Sequence, residues 1–109
     1  MKLITVIVQD EDANKLLNAL VAAGFGATKI SSTGGFLRRG NSTIIIGAED
    51  EQVERVIGII KDNCATRTRM LVEVQPWMEV GDLAASAPIE VEVGGATIFV
   101  QAVERMERV

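Results

Sequence analysis

The chain has 109 residues, 48% of them hydrophobic and 24% charged, with a formal net charge of −4. That length fits one domain (residues 1–109), the composition is that of a folded globule, and the acidity argues against a surface built to neutralise nucleic-acid phosphates. Histidine is absent, which removes Ser-His-Asp and Cys-His catalysis and imidazole metal sites.

The N-terminal MKLITVIVQDED shows no signal-peptide pattern, and Cys64 is the single cysteine; both indicate the cytoplasm. No apolar run reaches the roughly 18 residues of a membrane span. KLITVIVQ (2–9) is apolar on both parities and predicts a strand covered on both faces. Asp10-Glu11-Asp12 then open an amphipathic helix striped by Ala13, Leu16, Leu17, Leu20 and Val21. The acids suit its N-cap and the positive end of its dipole, and Gly24 suits its C-terminal stop.

FGATKISS (25–32) and STIIIGAE (42–49) read as the second and third strands. Glu49-Asp50-Glu51 start a second helix on a Val53, Val56, Ile57, Ile60 stripe, ending near Asn63-Cys64. RMLVEV (69–74) is the expected fourth strand, and IEVEV and ATIFVQAV joined by Gly94-Gly95 the expected hairpin. The order is βαββαβ, an α+β ferredoxin-like sandwich with an added C-terminal β-hairpin. Between them QPWMEVGDLAASAP (75–88) has no periodicity and reads as a long loop carrying Trp77 and Met78.

Two helices cover one face of a four-stranded sheet. The first strand nevertheless offers Ile4, Val6 and Val8 on one side and Leu3 and Ile7 on the other, and the third sets Ile44 and Ile46 against Ile45. Each such side chain contributes roughly 1.5–3 kcal/mol when buried, so the bare face predicts a symmetric oligomer.

The connection TGGFLRRGN (33–41) is unlike a plain turn. Gly34 and Gly35 let backbone amides approach a ligand, Phe36 gives a stacking face, Leu37 an apolar wall, and Asn41 a donor and an acceptor suited to an adenine edge. Arg38, Arg39 and Lys29 add positive charge. Two readings stay open on these residues: a nucleotide cradle, or a loop whose Phe-Leu pair plugs a neighbouring subunit. The acidic triplets at the helix starts suit helix dipoles better than a metal, and no metal site is expected. Cys64 has Lys61 as its one basic neighbour in the sequence and reads as a small hydrophobe.

VQDEDANKLLNAL, TKISSTGGFLRRGNSTIIIGAED and PIEVEVGGATIFV together resemble the PII-like cyclic di-AMP receptors over essentially the whole chain. The resemblance implies homotrimers of ferredoxin-like subunits that bind cyclic di-AMP between adjacent subunits, with no cofactor and no catalytic activity. The loop at 33–41 is short and that at 75–88 long, as in that family. By position, Thr28 contributes a hydroxyl; Gly35, Phe36 and Leu37 line one adenine; Asn41 reads its edge with help from the Gly47 backbone; and Phe99 adds apolar wall. Gly24 and Gly26 stand where the family often has a polar residue and an Arg. The implied function is a second-messenger receptor that signals to an unidentified protein partner. Two alternatives are a PII-type sensor of ATP or another mononucleotide, and a structural trimer that binds protein directly.

Overall fold

Alternation along KLITVIVQ decides the layering. In β1 (Lys2–Gln9) the residues Ile4, Val6 and Val8 are fully buried while Leu3, Thr5 and Ile7 between them are half-buried. The computed structural model describes residues 1–30, 40–71 and 89–109. After β1 come α1 (Asp10–Ala22), β2 (Gly26–Ile30), β3 (Asn41–Ala48), a 3-10 turn (Asp50–Gln52) leading into α2 (Val53–Cys64), then β4 (Arg67–Leu71), β5 (Ile89–Val93) and β6 (Ala96–Ala102). No helix among them is long and apolar enough to cross a membrane.

The strands form an antiparallel sheet in the order β2-β3-β1-β6 and a separate two-stranded ribbon, β4-β5. Ile4, Val6, Val8, Ile44 and Ile46 from the sheet meet Leu16 and Leu20 of α1 and Val56 and Ile60 of α2 in one core. The result is a mixed α+β fold compatible with the ferredoxin-like arrangement.

Local chemistry fixes the end of α1 and the approach to α2. Gly24 takes φ +91, its amide bonds the Val21 carbonyl, and the Phe25 amide bonds that of Leu20. This is a Schellman stop sealed by buried Leu20 and Phe25. Glu49 and Gln52 form a capping box before α2. The N-cap of α1 is Gln9 rather than an acid, and it makes no side-chain capping bond; the three acids fill the first turn instead.

Two expectations need correction. The fourth strand starts at Arg67, two residues before the expected 69, and its described part, Arg67–Leu71, pairs with β5 and not with the main sheet; the expected residues 72–74 lie outside the described ones. The C-terminal hairpin is not formed either: β5 pairs with β4, and β6 pairs with β1 from Lys2↔Ala102 to Val8↔Ala96. The edge beside β1 needs a strand with an apolar residue for the helix side. β6 supplies Ile98, opposite Val6 and packed on the core, whereas RTRML puts arginines on one parity and Thr68 and Met70 on the other. Gly94 and Gly95 do take positive φ, +82 and +87, but they carry the chain from the ribbon into the sheet. A Cβ on Gly94 would lie 2.6 Å from Arg67 Nη1 and 2.7 Å from the Ala65 carbonyl oxygen, so only glycine fits there.

Candidate functional site

The face of the sheet that carries no helix is laid out in cross-strand rows. Thr28 is in register with Ile45, Ile45 with Thr5, and Thr5 with Phe99. In the next row Gly26 meets Gly47, and Gly47 meets Leu3. A Cβ added to either glycine would find nothing within 4 Å, so the pair forms a bare backbone notch beside Thr28. A flat ring can approach a strand backbone at such a notch. Room for a longer side chain at Gly26 is also present, though this chain does not use it.

At the other end of the same face, Asn41 pairs with Gln9. Both line a cavity of about 360 Å³ together with Ile7, Thr66, Gly95 and Thr97. Its polar lining is hydroxyl and amide, suited to a neutral polar group rather than an isolated charge.

Of the expected site residues, the fold makes neighbours of Thr28 and Gly47. Asn41 stands six positions from Gly47 along β3, roughly 20 Å at the rise of a strand. That exceeds the width of a purine, so the two cannot serve one adenine as expected. Phe99 is 42% exposed on β6, at the opposite edge from Thr28, and is not a core residue. Gly35, Phe36 and Leu37, with Arg38 and Arg39, lie outside the described residues, as do Trp77 and Met78. Lys29 faces the helices: its ammonium donates to Asn14 Oδ1 on α1 at 3.3 Å, so it adds no charge beside Thr28.

Sequence reasoning missed the notch, because the Gly26↔Gly47 pairing depends on strand register. It also missed a group of polar contacts around the first turn of α1. Asp12, 4% exposed, accepts two hydrogen bonds from Arg67, at 2.8 and 3.2 Å. That hydrogen bond is the main cause that holds the Arg67 guanidinium even more firmly charged than usual. Glu11 meets Arg69 at 2.9 Å. The acidic QDED and the basic RTR (67–69) were a visible complementary pair in the sequence, without a sign that they meet.

Cys64 is 1% exposed. Burial, reinforced by the Asp12 carboxylate, pushes its thiol up to about 11, which leaves a poor nucleophile. No group of three or more His, Cys, Asp or Glu among the described residues is arranged to hold a metal ion.

The sequence matches a family model described as cyclic-di-AMP receptor over residues 1–109. It is also similar to a functionally unknown protein from Pediococcus pentosaceus, known from a crystal structure. The two are 42% identical over 99% of this chain and 96% of that one, with a TM-score of 0.76. With a family match that runs from the first residue to the last, the chain belongs to the cyclic-di-AMP receptor family.

Proposed function

We propose that this chain is a single-domain cytoplasmic receptor that binds cyclic di-AMP between adjacent copies of a homotrimer, with no cofactor, metal or catalytic step. Thr28, Gly35, Phe36, Leu37, Asn41 and Gly47 of one copy and Phe99 of the next hold the ligand. Binding changes the segments 33–41 and 75–88, and a protein partner reads the change.

The observation that carries this reading is the placement of Thr28 and Phe99. Both are on the helix-free face and in one row, yet they are separated by three strand spacings, roughly 14 Å. A second copy laid on that face can bring its own Phe99 up to Thr28, and it covers Leu3, Thr5, Ile7 and Ile45 at the same time. A ligand with two bases also suits a face whose notch and Asn41 are so far apart.

Calorimetry with cyclic di-AMP tests the reading. Micromolar affinity corresponds to about −8.2 kcal/mol and gives measurable heat at about 50 µM protein. Substituting Asn41→Ala or Phe36→Ala is expected to weaken binding more than about tenfold, the loss of one stacked or doubly hydrogen-bonded base. Absence of heat with the unaltered chain overturns the assignment.

A further inference from the structure

Residues 9–12, QDED, have contacts on two sides. Toward the end of the glycine-rich connection, the Asp10 amide donates to the Gly40 carbonyl at 2.8 Å and the buried Ser42 hydroxyl donates to Asp10 Oδ1 at 2.5 Å. Gln9 is the cross-strand partner of Asn41. Toward the ribbon, Gln9 Oε1 accepts from the Gly94 amide at 2.7 Å, Asp12 takes the fork of Arg67 at 2.8 and 3.2 Å, and Glu11 takes Arg69 at 2.9 Å. One helical turn therefore fastens both.

The ordinary duty of polar groups at this position is to cap their own helix. Gln9, the N-cap, makes no side-chain capping bond, and the oxygens of Gln9, Asp10, Glu11 and Asp12 go to residues between 32 and 85 positions away in the chain. No buried side-chain polar atom among the described residues lacks a partner. The buried groups are one on each side, the Ser42 hydroxyl toward the connection and the Asp12 carboxylate toward the ribbon, so moving this turn away from either side leaves a buried polar group without its partner, which is costly.

We propose that QDED is a two-sided joint in which Gln9 and Asp10 position Asn41, and which carries a displacement of Asn41 to the root of the β4-β5 ribbon. The ligand's part in this rests on the proposed binding of cyclic di-AMP at Asn41; the mechanical coupling does not. Coupling of this kind is reciprocal: loosening the ribbon's root loosens the start of β3, and the reverse holds equally.

Hydrogen exchange on the full ligand-free chain tests the joint. Ser42→Ala, which removes the tie on the connection side, is expected to speed exchange at residues 67–71 and 89–93 by at least about fivefold. Gln9→Met, which removes the acceptor for Gly94, is expected to speed exchange at residues 41–43 to a similar extent, while Gln9→Glu, which keeps an acceptor, restores the slow rates. Should Gln9→Met fail to fold, Arg67→Gln makes the same prediction from a partly exposed position. If each substitution loosens only its own side, the joint is overturned. Calorimetry of the unaltered chain runs in parallel: absence of cyclic di-AMP binding removes the ligand reading and leaves the joint decided by exchange alone. If the ligand binds and the ribbon amides keep their rates, transmission is overturned.

Discussion

Thr28 and Phe99 share one cross-strand row of the helix-free face, through Ile45 and Thr5, but belong to opposite edge strands. In the proposed site Thr28 of one copy is met by Phe99 of the next, and mixing variants tests that arrangement. Thr28→Ala and Phe99→Ala are each expected to weaken cyclic di-AMP binding, Phe99→Ala by about tenfold for a lost stacking or wall contact. Refolding the two variants together is then expected to restore a fraction of full-affinity sites, where an intact Thr28 meets an intact Phe99. Titration of the mixture that shows only weak sites would place the ligand within one chain.

Neighbouring isoleucines on β3 are expected to respond differently. Ile46 is fully buried against the helices, so Ile46→Ala costs about 2–5 kcal/mol of stability, read from a denaturant midpoint. Ile45 points to the helix-free face, so Ile45→Lys is expected to lower the sedimenting mass at micromolar concentration and spare the helix-side core. Unchanged mass with Ile45→Lys would argue against assembly through that face.

Two glycine turns separate strain from crowding. Gly24 has φ +91 and open space around an added Cβ, so Gly24→Ala carries the backbone penalty alone, about 1–2 kcal/mol. Gly94 has φ +82 and a Cβ position 2.7 Å from the Ala65 carbonyl oxygen, so Gly94→Ala is expected to be the more damaging and to disturb the bond to Gln9 as well. Equal midpoints for the two variants in urea would contradict this ranking.

Alkaline pH is expected to weaken the fold through Cys64. Its folded value is raised from 9.0 to about 11, chiefly by burial, so the protonated thiol is the form that suits the core. The contribution is fully present below about pH 9 and is lost as pH rises toward about 11. A Cys64→Ala variant is expected to show a flatter decline in urea midpoint over that window. The native thiol is also expected to resist alkylation at neutral pH until the chain unfolds; rapid modification of the folded protein would contradict its burial.

Local chemistry was legible in the sequence. The strands KLITVIVQ and STIIIGAE, the helix stripes, the stop at Gly24 and the start at Glu49 all depend on residues within a turn or two of each other, and each is found close to where it was read, although only the Ile4, Val6, Val8 side of KLITVIVQ is fully buried within one copy. The resemblance of quoted segments nominates Thr28, Asn41, Gly47 and Phe99 as site residues, without their relative positions.

Partner choice was decided by the tertiary structure. IEVEV-GG-ATIFVQAV has the local form of a hairpin, but β6 lies beside β1, where Ile98 stands opposite Val6 and packs on the core. RTRML was drawn from the sheet to the acids of α1, where Asp12 and Glu11 engage its two arginines. Periodicity shows which side of a strand is apolar. Which strand lies next to it, and hence that Gly26 meets Gly47 while Thr28 and Phe99 stand at opposite edges, follows from competition among distant segments for one core.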